Sequence, residues 1–214
     1  MKIGILGSGT VGQQLALGFA KLGHEVKIGT RSPDKLAEFI QQNPNSKITI
    51  GSFEESSQFA DVIVLATLWQ GTESAINLAN KSNFKDKIII DVTNPLDFSQ
   101  GNPPKLLSSP NNSAGEYIQK LLPESHIVKA FNTISAYIMC SPRREEGDPD
   151  LFIAGNNIEA KQFVISIARE WGWKDVHDIG NIEQSYLIES LAMLWITYAF
   201  KHNHWSHAFK LLKK

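Results

Sequence analysis

Residues Gly7-Ser8-Gly9-Thr10-Val11-Gly12 follow directly on the apolar run Met1-Lys2-Ile3-Gly4-Ile5-Leu6 and lead into Gln13-Gln14-Leu15-Ala16-Leu17-Gly18-Phe19-Ala20. The order is strand, glycine-rich turn, helix. In that setting glycine lets the chain turn tightly and approach a diphosphate, while the first turn of the helix points free N–H groups at the anion. A GxGxxG pattern alone is common. Its position between a strand and a helix is what makes it read as a dinucleotide site.

A second informative set lies at the end of the second predicted strand, His24-Glu25-Val26-Lys27-Ile28-Gly29. An NAD site usually keeps Asp or Glu about 20 residues beyond the glycines, to accept hydrogen bonds from the adenosine ribose. Here the strand runs into Thr30-Arg31-Ser32, with Lys35 one turn into the next helix. A carboxylate would repel a 2′-phosphate, whereas a guanidinium and two hydroxyls would hold it. Two charge-assisted hydrogen bonds of roughly 1.5–3 kcal/mol each favour NADP over NAD by roughly two to four orders of magnitude. Ser32-Pro33 also reads as an N-cap and first-turn proline opening a helix over 34–42, and a capped helix start is compatible with an anion site. The expectation is NADP(H).

These residues need a scaffold, and the rest of the chain supplies its pattern. Strands and helices alternate, with further strands expected at 47–50, 61–66, 87–92, 126–131, 150–154 and 175–178. Runs such as Val62-Ile63-Val64-Leu65 and Ile88-Ile89-Ile90 are apolar at every position, as in strands covered on both faces. Ser52 with Glu55 and Ser113 with Glu116 fit capping boxes, Asn157 and Asn181 fit N-caps, and Pro123 closes the helix begun near Ala114. The fold class is therefore α/β: a Rossmann-type, doubly wound, mostly parallel sheet of about eight strands, the last two extending one edge. Residues 1–180 form the NADP(H)-binding domain and 181–214 a short C-terminal helical extension. In that extension Leu187, Ile188, Leu191, Leu194, Trp195 and Tyr198 recur at helical spacing. A helix apolar on most sides, with little chain left to wrap it, implies a homodimer through the C-terminal helices. The stretch 98–112 reads as a long surface loop, either a lid or a variable insertion.

Composition narrows the partners. The chain has 214 residues and a net charge of −1 with acids and bases interspersed, so neither nucleic acid nor a membrane surface is expected. The single Cys140 excludes an internal disulfide and fits a reducing compartment. No leader precedes the first strand, and the most apolar stretch, 191–200, is too short to span a bilayer. A cytoplasmic protein is expected.

Ligands on doubly wound sheets lie across the C-terminal strand ends. The segments leaving those ends are Thr67-Leu68-Trp69-Gln70, Thr93-Asn94-Pro95-Leu96 and Asn132-Thr133-Ile134-Ser135-Ala136. Trp69 could wall the nicotinamide or serve as a core aromatic on the following helix. Asn94 could bond the nicotinamide ribose or carboxamide, although Asn94-Pro95 is also an ordinary turn. No His, Lys or Tyr stands where an alcohol dehydrogenase keeps its proton shuttle, and Lys129, inside a strand, reads as snorkelling or paired. Hydride exchange between stacked planar rings needs alignment more than acid–base help. No catalytic side chain is assigned, and no metal. His202, His204 and His207 lack partners to complete a coordination set, even with His204 and His207 on one helix face, and Arg143-Arg144-Glu145-Glu146 reads as a charged loop.

Taken together, Gly7 to Gly12, Thr30-Arg31-Ser32, Thr67-Leu68-Trp69, Ser113-Ala114-Gly115-Glu116-Tyr117, His126 to Asn132 and Glu189-Ser190-Leu191 resemble two related groups. One is the NADPH-dependent oxidoreductases that reduce a deazaflavin coenzyme. The other is the cytosolic NADPH-binding domain of the six-transmembrane (STEAP) metalloreductases. The likeness covers essentially the whole chain. It implies NADP binding by Ser8 to Val11, by Thr30, Arg31 and Lys35, and by the Trp69, Asn94 and Ala136 segments. It also implies hydride transfer to a flavin or deazaflavin docked over the nicotinamide. Two departures leave the acceptor open: the turn is one residue tighter than in the deazaflavin reductases, and the metalloreductases continue into membrane helices holding flavin and haem. The alternatives are an NADP(H)-binding regulatory protein without turnover, reduction of ferric chelates through a flavin, and reduction of a small imine or carbonyl. Arg31→Ala is expected to weaken NADPH binding far more than NADH binding; equal losses on calorimetric titration would remove the phosphate assignment.

Overall fold

The computed structural model describes residues 1–213. Its strands are β1 (Lys2–Leu6), β2 (Glu25–Gly29), β3 (Ile48–Gly51), β4 (Val62–Leu65), β5 (Ile88–Asp91), β6 (Leu96–Asp97), β7 (Lys105–Leu106), β8 (His126–Lys129), β9 (Asp150–Gly155) and β10 (Asp175–Asp178). The α-helices are α1 (Thr10–Lys21), α2 (Ala37–Gln42), α3 (Phe53–Phe59), α4 (Trp69–Leu78), α5 (Ala114–Leu121), α6 (Ile158–Trp171) and α7 (Ser185–His202). Eight strands form one sheet in the order β10-β9-β8-β5-β4-β1-β2-β3. The stretch from β3 to β8 is the doubly wound order, with the switch point between β1 and β4. All pairs are parallel except β8 with β9. β9 and β10 extend one edge, as the sequence predicts.

The uniformly apolar strands feed two cores because alternate side chains leave opposite faces. Ile3, Ile5, Val62, Val64 and Ile90 join Leu15 and Phe19 of α1 and Val164 and Trp171 of α6 on one face. Leu6, Ile63, Leu65 and Ile89 meet Ala75 and Ile76 of α4 and Ile118 of α5 on the other. Cys140 packs onto the first core against α1: a Cβ added at Gly18 would lie 2.3 Å from its sulfur. Burial pushes this thiol up to about 12.

Both capping boxes form, and Asn157 Oδ1 accepts from Ala160 N at 2.7 Å. Three local expectations change. The helix expected over 34–42 is a 3₁₀ turn, Pro33–Leu36, running into α2, and the Ser32 hydroxyl makes no cap. Its backbone N–H instead donates to Thr30 Oγ1 at 3.1 Å, because Ser32 is still finishing the turn out of β2. Asn181 precedes a 3₁₀ turn without a side-chain cap, and Ile182 N donates to Asn156 Oδ1 at 3.0 Å. The 98–112 stretch contains β7, which pairs antiparallel with β6.

The element that ties α7 to the sheet is ionic. Lys129 Nζ donates to Asp91 Oδ2 at 2.8 Å and to the Thr93 carbonyl at 2.7 Å, and contacts Glu189 Oε1 at 2.9 Å. All three charged side chains are 0% exposed. Lysine is paired here and does not snorkel. Glu189 also accepts from Ala114 N and Gly115 N, so the start of α5 shares the excess negative charge. Burial alone would lower the Lys129 pKa; the two carboxylates outweigh it and hold it above the ordinary 10.5. The resulting stabilisation is complete below the ordinary lysine value and is lost only as pH rises through the raised one. Lys129→Met strands two carboxylates in the interior and is expected to cost about 3–5 kcal/mol, read as a fall in the urea midpoint.

Candidate functional site

The glycine-rich turn is built by close approach. Gly7 sits at φ +130°, a conformation open to glycine, and its N–H donates to the Gly29 carbonyl at 3.1 Å, joining the ends of β1 and β2. A Cβ on Gly12 would lie 2.0 Å from the Gly7 carbonyl oxygen, so α1 can sit this close to β1 only with glycine there. Gly9 is different. A Cβ there would meet no protein atom within 4 Å, so packing within the chain gives no reason for glycine. Gly9 is the N-cap of α1 and offers no side-chain bond, and the first turn holds no acid. The bond from Gln13 N to Gly9 O, 3.0 Å, begins the helical ladder, which leaves the N–H groups of Thr10, Val11 and Gly12 without helical partners.

Beside this turn, Ser8 Oγ and Thr30 Oγ1 are 2.9 Å apart, and Gln13 Nε2 donates to the Ser8 carbonyl at 2.9 Å. Thr30 and Arg31 then line an open cleft of about 720 Å³ with Pro33, Gly51, Ser52 and Phe53. Arg31 is exposed and forms no ion pair among the described residues. Glu54 and Glu55 share the cleft, but the Glu55 carboxylate is committed to Ser52 N at 2.7 Å. Lys35 is exposed on the 3₁₀ turn and, like Ser32, does not line the cleft.

The other candidates leave β4, β5 and β8. The Thr67 hydroxyl is 2.8 Å from that of Thr72, while Leu68 is 77% exposed. Trp69 opens α4 half-buried, edge-on to Tyr117 of α5 at 5.7 Å. Pro95 is buried, and its carbonyl accepts from Leu107 N at 2.8 Å. Ala136 begins a 3₁₀ turn reached through Ser135. Asn94 Nδ2 donates to the Asn132 carbonyl at 3.0 Å, and Asn132 Nδ2 donates to Asn94 Oδ1 at 2.9 Å. Asn132 opens the segment expected to leave the sixth predicted strand, but neither it nor Gln13 has an individual role in the sequence reading. A short polar residue next to a strand end carries no periodic signal, and their roles emerge only from pairing across elements.

The titratable groups nearest these turns, Asp91, Lys129 and Glu189, are sealed and bonded to one another, so none is free to shuttle a proton. Tyr117 donates to Glu73 Oε2 at 2.6 Å, and that bond raises the phenol's pKa. Among the described residues no three His, Cys, Asp or Glu side chains converge as metal ligands. α7 ends at His202, so His204 and His207 do not share a helix face as the sequence suggested. They stack at 5.7 Å in the segment beyond it.

An open helix N-terminus, a second glycine with empty space beside it and an unpaired guanidinium at the end of β2 fit a dinucleotide. Together with the strand order they define a Rossmann-type nucleotide-binding domain. Residues 2–95 match the family model described as NADP oxidoreductase, coenzyme F420-dependent. The F420-dependent NADP reductase of Methanocaldococcus jannaschii is 32% identical over 212 residues, with 94% of each chain covered. Metalloreductase STEAP3 of Rattus norvegicus is 31% identical over 193 residues, which cover 90% of this chain but 36% of that protein. A crystal structure of an Arthrobacter sp. FB24 protein provisionally assigned as an F420-dependent NADP-reductase superposes with a TM-score of 0.94, at 36% identity and 100% coverage of both chains. This chain belongs to the coenzyme F420-dependent NADP oxidoreductase family.

Proposed function

We propose that this protein binds NADP(H) across the C-terminal edge of its sheet and exchanges hydride with a deazaflavin ring. The observation that carries the reading is Arg31, an unpaired cation in the cleft beyond β2, where an acid would accompany NAD. The N–H groups of Thr10, Val11 and Gly12 hold the diphosphate, with Gly7, Ser8 and Gly9 giving it room. Thr30 and Arg31 hold the 2′-phosphate, with Ser32 and Lys35 beside them. Thr67, Leu68, Trp69, Asn94, Pro95 and Ala136 frame the nicotinamide end.

Bound NADPH supplies the hydride; the protein supplies alignment. Leu68 after β4, Phe98 after β6 and Tyr137 beyond β8 are 77%, 46% and 72% exposed. Exposed apolar side chains on loops at this edge suit a flat ring and would displace water from it. The family membership and the full-length likeness to a reductase of a deazaflavin coenzyme support the same acceptor class. Reduction of ferric chelates through a flavin is the second reading, supported by the STEAP3 likeness over 36% of that protein.

The same proposal includes a homodimer and a cytoplasmic setting. Leu187, Leu194 and Tyr198 lie on one face of α7 and are 45%, 58% and 47% exposed, an apolar strip suited to a second copy. The lone thiol, Cys140, suits a reducing compartment. Among the described residues no helix is long and apolar enough to cross a membrane.

Loss of NADPH absorbance with deazaflavin, FMN, FAD or a ferric chelate tests the activity. Oxidation above background is expected with deazaflavin, and Gly9→Ala should reduce it by about tenfold or more while leaving the thermal midpoint within a few degrees. Tight NADPH binding without oxidation by any acceptor would favour the regulatory reading instead. For the assembly, light scattering should give twice the chain mass, falling to the monomer mass with Leu194→Glu; a wild-type monomer would remove the dimer.

A further inference from the structure

Phe131, two residues beyond β8, is fully buried and sits at φ +62°. A bulky L-residue in the left-handed region is a genuine outlier, because its Cβ crowds the following carbonyl. Its ring is anchored edge-on against Trp171 at 5.2 Å, so the surrounding core holds the backbone in this state. The turn sends the next residue, Asn132, toward the segment leaving β5, where it makes the reciprocal pair with Asn94. Asn132 is 7% exposed, and its Oδ1 is buried without any hydrogen-bond partner. Turning the amide over would orphan a hydrogen instead and break the bond to Asn94. A strained backbone and an unsatisfied acceptor therefore coincide in consecutive residues at the edge of the candidate site. Both are unfavourable locally, and such costs gather where geometry is being held for a purpose.

What the pair holds is Asn94. Its carboxamide is only half-buried, and Asn132 occupies one of its two amide hydrogens and one lone pair of its oxygen. One N–H and one lone pair remain, in an orientation fixed by two bonds rather than free to rotate. We propose that Asn132 is a positioning residue, set by the left-handed turn at Phe131, which orients the Asn94 carboxamide toward the nicotinamide end of the bound dinucleotide. This rests on the NADP(H) reading above. Asn132 acts through Asn94, so its effect belongs to the nicotinamide half of the ligand and not to the phosphate half.

Calorimetric titration with NADPH and with 2′-phospho-ADP-ribose, the same molecule without nicotinamide, separates the halves. Asn132→Ala should bind the fragment within about twofold of wild type, yet lose about fivefold or more of the preference for NADPH, the scale of one hydrogen bond. Asn94→Ala should lose the same preference, and the double variant should be no worse than Asn94→Ala alone. An unchanged preference in Asn132→Ala, additive losses in the double variant, or equal losses for NADPH and fragment would each overturn the proposal. Should Asn132→Ala fail to fold, Asn132→Ser takes its place in the same comparison. Failure of the NADP(H) reading itself would look different: wild-type protein would not bind the fragment, and the proposal would fall with it.

Discussion

A lysine sealed among two carboxylates organises the β5–β8 half of this molecule. Removing three charges from water is expensive, and only complete pairing makes it tolerable. The Lys129 ammonium has three hydrogens and finds three acceptors: Asp91, Glu189 and the Thr93 carbonyl. Each acceptor lies on a different part of the structure, so one interaction fixes β5, β8, α7 and the turn toward Asn94. Asp91 also accepts from Thr93 N and Oγ1, at 2.9 and 2.7 Å, which locks the first residues of that turn. The amide pair above it thus stands on a rigid floor, and the C-terminal helix is part of that floor rather than an appendage.

The two halves of the sheet edge solve different problems. On the β1–β2 side the backbone does most of the work: the glycine turn places N–H groups, and a few short side chains tie the turn to Thr30. On the β5–β8 side the backbone turns are held by side chains, through the ionic cluster and the paired amides. Phosphate groups have a fixed shape that peptide N–H groups can meet directly, whereas a nicotinamide ring must be set at one angle to a second ring. Hydride exchange depends on that angle, and under the function proposed above the order of the β5–β8 side serves to set it.

Much of this was legible in the chain. The glycine turn and both capping boxes follow from local rules, because each depends on residues adjacent in sequence, while the alternation of strands and helices implied the doubly wound sheet. Thr30-Arg31-Ser32 was legible for the same reason, although Ser32 caps nothing and Lys35 lies away from the cleft. The Lys129 cluster was only half legible. A lysine inside an apolar strand implies a partner, but Asp91 and Glu189 are 38 and 60 positions away, and no periodicity connects them. Asn132 lay in a candidate segment, but its pairing with Asn94 and the left-handed Phe131 were invisible, since a positive φ at phenylalanine contradicts its own preference and is imposed by Trp171 and the surrounding core. The apolar periodicity beyond 181 marked a helix, which the structure places at Ser185–His202, but its anchoring through Glu189 was not foreseen.

The packing of Cys140 against Gly18 has a practical consequence. Partial burial raises the pKa of this thiol and makes it a poor nucleophile, so alkylation should be slow and should quicken when α1 lifts from the segment behind it. The helix that would move is α1, whose first turn carries the unpartnered N–H groups of Thr10, Val11 and Gly12. The rate at which Cys140 is modified thus reports on the packing of that helix, and no label needs to be engineered to read it.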